Sequence, residues 1–165
     1  MKTFLFVIAL AALFVLWPVL AMRPSPRQAQ LARLRARAVG AGLRVRVSGS
    51  GARGGDTDYV LPWRIEELPE VHGVRLGAHR DPSGAWVCDA CDALSEASLG
   101  AALGALPAGV ATLRCADEGL AVQWNEKGRD EDVDRVAGVL LELRGALLAA
   151  RRTRAATPDE ADVRT

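Results

Sequence analysis

The sequence predicts an α+β protein: a single N-terminal transmembrane helix, then a small antiparallel-sheet domain covered by two or three helices. Three observations predict it. Residues 4–22 form a run of nineteen residues without one charged or polar side chain. Strict apolar/polar alternation then recurs in short segments between Gly- and Pro-bearing turns, the pattern of half-buried strands. Finally, Val133, Val136, Leu140, Leu143 and Leu147 recur in steps of three and four, one stripe of a long helix.

The apolar run sets the framework. As a helix it spans about 30 Å, the thickness of a bilayer's hydrocarbon core. Lys2 precedes it, and Val19-Leu20-Ala21 has the small-residue ending of a signal cleavage site. Against cleavage, Pro18 lies beside that site and the run is long for a signal peptide. Arg23, Arg27, Arg33, Arg35, Arg37, Arg44, Arg46 and Arg53 all precede the first acid, Asp56. Such a cluster stays in the cytoplasm. The expectation is a retained anchor with its N-terminus outside and the domain cytoplasmic; the alternative is an exported domain after cleavage at Ala21. The chain divides accordingly: anchor 1–22, basic juxtamembrane helix 23–40, α+β domain 41–152, disordered tail 153–165.

Of 165 residues, 21 are Lys or Arg and 20 are Asp or Glu, for a net charge of +1. That balance offers no global basic excess for nucleic acid. Three cysteines are too few, and odd in number, for a disulfide framework, which fits a reducing compartment.

Along the chain, Ser25, Pro26 and Gln28 read as a capping box that opens a helix over 26–39, ended by Gly40 and Gly42. Its arginines can meet anionic lipid headgroups, each contributing ~1 kcal/mol, or solvate the helix and set its topology. Arg23, Arg27, Arg33, Arg35 and Arg37 are therefore the candidate lipid or partner contacts. Leu43, Val45 and Val47 alternate with Arg44, Arg46 and Ser48 as a strand. The glycine-rich segment 49–56 lacks a Gly-Lys-Ser/Thr ending and reads as a loop.

Met22-Arg23-Pro24 after the apolar span, the basic helix, the Val-x-Val strand and the Ser48-Gly49-Ser50-Gly51-Ala52-Arg53-Gly54 turn resemble the YajC-type accessory subunit of the bacterial preprotein translocase. The likeness covers about residues 4–54. The chain as a whole resembles small uncharacterised single-pass bacterial inner-membrane proteins. The resemblance implies inner-membrane location and association with the translocase, and it transfers no catalytic residue.

Further on, residues 59–65 alternate as a strand that Pro62 assigns to a sheet edge. Residues 74–79 and 85–88 form a hairpin about Asp81-Pro82-Ser83-Gly84. Asp92 or Ser95 caps a helix to Gly104 with Leu99, Leu103 and Leu106 as its stripe. Residues 110–115 and 119–125 make a second hairpin around Ala116-Asp117-Glu118-Gly119. A long helix runs from Asp130 to about Ala150, its stripe packed across the sheet rather than forming a dimer seam. Acids begin it, and Arg144, Arg151 and Arg152 suit the dipole at its end.

Cys88-Asp89-Ala90-Cys91 is the one motif with chemical potential. A CxxC pair carries redox chemistry when its first thiol begins a helix, and half a zinc site when a second pair exists. Here the helix begins after both thiols. Only Cys115, His72 and His79 remain as further soft ligands. The pair reads as incidental thiols, with a thiol-redox or metal role as the alternative. Cys115 reads as a small core residue, His72 and His79 as surface residues, and Trp63, Trp86 and Trp124 as core or interface aromatics. The functional expectation is a non-catalytic, membrane-tethered accessory or binding protein without cofactor. Its partners would be membrane lipid and a membrane protein such as the translocase, with no nucleic acid and an open oligomeric state. The competing class is a membrane-tethered thiol or metal protein using Cys88 and Cys91.

Overall fold

The computed structural model describes residues 25–47, 57–91 and 94–156. The apolar run 4–22, the loop 49–56 and positions 157–165 lie outside them. Among the described residues no helix is long and apolar enough to cross a membrane. The chain divides into two compact units, Met1–Arg33 and Leu34–Thr165; the sheet belongs to the second.

Helix α1 spans Pro26–Gly40. Its start is the expected capping box: Gln28 N–H donates to Ser25 Oγ at 3.2 Å and Ser25 N–H to Gln28 Oε1 at 2.9 Å. Its end is a Schellman motif. Leu43 N–H reaches back to Ala38 O and Gly42 N–H to Val39 O, with Gly42 at φ +82°. Leu34 and Ala38, four apart, are both 0% exposed.

Six strands follow: β1 Arg44–Val47, β2 Thr57–Pro62, β3 Gly77–Arg80, β4 Trp86–Ala90, β5 Val110–Ala116 and β6 Gly119–Trp124. They form one antiparallel sheet in the order β1-β2-β6-β5-β3-β4. A 3-10 turn at Ile65–Glu67 and the one-turn helix α2, Leu68–Val71, link β2 to β3. Helix α3, Glu96–Ala105, precedes β5, and helix α4, Asp130–Ala156, ends the fold. The protein is thus α+β, with six antiparallel strands and four helices among the described residues.

The sheet has two unlike faces because side chains alternate along each strand. Tyr59, Leu61, Leu113, Leu120, Val122 and Trp124 join the main core with Leu34, Leu99, Leu103 and the α4 stripe. Val133, Val136, Leu140, Leu143 and Leu147 are each 2% exposed or less. Tyr59 and Trp124 meet edge to face, with centroids 5.4 Å apart. On the opposite face, Arg114 crosses Ala121 of β6 to reach Asp58 of β2 at 2.7 Å, and Arg46 reaches Glu118.

Four local expectations are corrected. Strand β2 lies inside the sheet, not at its edge. Trp63 N–H donates to Glu118 O, so by alternation the Pro62 nitrogen turns toward β1, whose pairing has already ended at Val60. The proline interrupts no ladder there. Nor does the strand continue to Ile65, which is 85% exposed on the 3-10 turn. Glu67 accepts the Arg64 N–H at 2.9 Å, and Pro69 suits the first turn of α2. The β3–β4 hairpin is shifted: β3 starts at Gly77, after Val74, and β4 runs on to Ala90. Finally, α4 continues past Ala150 and into the segment expected to be disordered from 153, as far as Ala156. Anchors on α2 and on the residue that follows it hold this end of the helix. Arg151 donates to Glu70 O and His72 O, and Arg152 forks onto the Glu70 carboxylate.

Candidate functional site

Two arrangements stand out from the rest of the molecule. The first is centred on Glu126, in the turn between β6 and α4. This glutamate is 2% exposed and holds φ +55°, a left-handed conformation that side chains adopt at a cost. The turn aims its carboxylate inward, where three elements meet. Arg35 of α1 donates from Nε and Nη2 at 2.7 and 2.6 Å, and the Tyr59 hydroxyl of β2 donates at 2.9 Å. Burial pushes the Glu126 carboxyl up, but the Arg35 and Tyr59 hydrogen bonds and the Arg35 charge outweigh it, and the pKa lies below the ordinary 4.5. Tyr59 is driven well above its ordinary value, first by burial and then by its bond to Glu126. The phenol therefore stays protonated. The cluster fastens α1 to the sheet through Glu126.

The candidate arginines of α1 separate on this geometry. Arg35 is spent on Glu126, and Arg37 forks onto Asp134 of α4 at 2.8 and 2.5 Å. Arg27 and Arg33 are exposed. Arg23 lies outside the described residues.

The second arrangement is the end of β4, the last strand of the sheet. Cys88 and Cys91 are joined by a disulfide, with Cα atoms 6.4 Å apart. Cys88 is exposed on the strand, whereas Cys91 is half-buried against the core. The register skips here: Ala78 faces Cys88 and Gly77 faces Ala90, leaving Asp89 bulged between the cysteines. The Asp89 carboxylate lies 2.9 Å from His79 Nδ1. Trp86, two residues before Cys88, has the Arg80 guanidinium 4.6 Å above its ring. These contacts join β3 to β4 on either side of Cys88.

Cys115 sits apart on β5, where burial, helped by the Asp117 charge, pushes its thiol up. It lines a cleft of about 390 Å³ with Trp63, His72 and Val74. His72 is exposed. Among the described residues no three His, Cys, Asp or Glu side chains gather as a metal-holding set. Trp63 and Trp124 are core residues, as their spacing indicated.

Sequence reasoning missed Glu126, Glu67 and Glu70 as the receivers of the helix arginines. Arg144 of α4, read as a dipole complement, donates from Nε and Nη2 to Glu67 Oε1 at 3.0 and 2.6 Å, with both residues buried. Their only local signal is an acid just past an apolar strand, as Glu126 follows Trp124; their partners lie 77 to 91 positions away. Compared with known proteins, the chain matches no family model, no curated protein and no solved structure.

Proposed function

We propose that the chain is a non-catalytic accessory or binding protein of the bacterial inner membrane. Residues 4–22 tether it, the domain is cytoplasmic, and it works beside the preprotein translocase. One observation carries the reading: the helix that follows the apolar run ends as part of the domain, not as a slack linker. Leu34 and Ala38 are core residues, and Arg35 ends on Glu126. From Leu34 on, the helix is ordered as part of the domain, so that this stretch has little ordering entropy left to lose when a partner docks on it. Arg23, Arg27 and Arg33 are left to meet anionic headgroups or a partner, at ~1 kcal/mol for each headgroup contact. Arg35 is held by a buried carboxylate and Arg37 by an exposed one.

The test is photocrosslinking in cells from positions 27 and 33, combined with a C-terminal topology reporter. Adducts to a translocase subunit and a reporter active in the cytoplasm are expected. Adducts to lipid alone would remove the translocase from the reading. A periplasmic reporter, or a mature chain beginning at Met22, would overturn the tether itself.

A further inference from the structure

The Cys88–Cys91 bond has no structural task that its position explains. A disulfide stabilises mainly by closing a loop in the unfolded chain, and more for longer loops. This one links residues with a sequence separation of 3, so it constrains the unfolded chain about as little as a disulfide can. Nor does it join separate elements: Cys88 is in β4 and Cys91 directly follows that strand. Cys88 lies on the outermost strand of the sheet and Cys91 just past its end, with a bulge between them, a distortion that recurs beside reactive groups. The two sulfurs also differ in access. Cys88 is exposed, and Cys91 is half-buried against the core. That asymmetry suits one sulfur for attack from solvent and the other for leaving and returning.

We propose that Cys88 and Cys91 are a dithiol–disulfide exchange site whose co-reactant is an external dithiol. In the reductive direction, a thiolate of the dithiol attacks Cys88 Sγ. A mixed disulfide forms, the Cys88–Cys91 bond breaks, and Cys91 leaves as a thiolate that takes a proton from water. The second thiol of the co-reactant then attacks its own sulfur in the mixed disulfide and releases Cys88. The dithiol becomes a disulfide, and the protein gains two electrons and two protons. The reverse sequence oxidises the pair. In a reducing compartment the resting form is the dithiol, and oxidation writes a signal into the edge hairpin.

The test uses the full-length chain carrying Cys115→Ala, in detergent. It is equilibrated without denaturant across mixtures of reduced and oxidised dithiothreitol, quenched with acid, and labelled with a maleimide of added mass. The expected result is a single two-electron transition from no label to two. A pair that stays unlabelled in fully reduced dithiothreitol until denaturant is added is a sealed staple, and the proposal fails. It fails equally if both thiols are labelled in fully oxidised dithiothreitol. The assignment of the attacked sulfur is read from Cys91→Ser and Cys88→Ser, each exposing one thiol to an aromatic disulfide reagent. Cys88 should react at least ~10-fold faster than Cys91, as its exposure requires; equal or reversed rates would overturn that assignment.

Discussion

Arg35 and Glu126, 91 positions apart in the chain, meet as a two-pronged ion pair at 2.7 and 2.6 Å. Two residues further along α1, Arg37 makes the same fork onto Asp134. The pairs look alike but differ in solvent. The Glu126 side chain is 3% exposed, whereas Arg37 and Asp134 are 49% and 47% exposed. Removing one partner of a buried pair strands the other charge, and surface pairs are worth little. Arg35→Met should therefore lower unfolding stability by about 3 kcal/mol, the low end for a buried pair because the guanidinium is partly wet. Arg37→Met should leave stability nearly unchanged. Urea unfolding of the two variants checks the contrast; equal losses would mean that Glu126 is solvated.

Acid should act through the same carboxylate. Burial raises the pKa of Glu126, but Arg35 and Tyr59 more than offset it; burial raises that of Glu67, but Arg144 and the Arg64 N–H more than offset it. Both folded pKa values lie below the ordinary 4.5. A depressed carboxyl contributes stability that is fully present above 4.5 and is lost as pH falls through the folded value. The melting temperature should therefore drop on acidification below about pH 4.5. Glu126→Gln should melt earlier at neutral pH and show a shallower acid limb. Parallel acid limbs would exclude Glu126 as a source of the pH dependence.

The chain has one tyrosine, so phenolate absorbance reports Tyr59 alone. Burial, then the bond to Glu126, holds its ionisation well above the ordinary 10. This raised pKa contributes stability below 10, which is lost at higher pH as the unfolded chain ionises first. Spectrophotometric titration should show no phenolate near pH 10 in the native protein, its appearance coinciding with alkaline unfolding. Tyr59→Phe should cost ~2 kcal/mol, the value of a hydrogen bond to a charged group. A native titration at 10 would place Tyr59 in water.

What the sequence made legible was periodic. The β5–β6 hairpin, the Ser25 capping box and the α4 stripe each rest on residues a few positions apart, and all three stand. Pro62 misled because a proline marks an edge only where a neighbour needs its N–H, and the length of β1 is a tertiary fact. The arginines misled for a related reason. Arg35 reads as a lipid, partner or solvating charge and Arg144 as a dipole complement, since nothing nearby shows that Glu126 and Glu67 will be buried opposite them. At Cys88 and Cys91 the motif was visible, but the bulge and the unequal exposure that give it a direction arise only when β4 pairs with β3.

Gly119 tests how closely the central strands approach. It faces Pro62 across the β2–β6 ladder. A Cβ placed on it would run into the Leu61 carbonyl oxygen and lie 2.8 Å from Leu61 C and 2.9 Å from Pro62 Cα. All three are backbone atoms and cannot swing aside. Gly119→Ala should therefore part the two strands locally and cost about 3 kcal/mol, toward the upper range for overpacking. Hydrogen exchange should show the Trp63 amide, bonded to Glu118 O, losing protection before amides at the Tyr59 end of β2. Unchanged protection would show that the hairpin absorbs the methyl.

Leu140 lies at the middle of the α4 stripe, between Val136 and Leu143, and is 0% exposed. It belongs to the one cluster that joins the sheet to α1, α3 and α4. Leu140→Ala removes buried methyl groups and leaves a cavity that flanking side chains only partly fill, at a cost of ~2–5 kcal/mol. Small domains have only ~5–15 kcal/mol in total, so the melting temperature should fall steeply. Because the stripe is buried within the chain itself, melting should not depend on protein concentration, in the wild type or in the variant. Leu141, the adjacent residue, is 50% exposed, and Leu141→Ala should leave the melting temperature nearly unchanged. A reversed order of the two variants would rotate α4 by about 100°, one residue of helical turn, and place the stripe against solvent. A melting temperature that rises with concentration would instead make the stripe a seam between two copies.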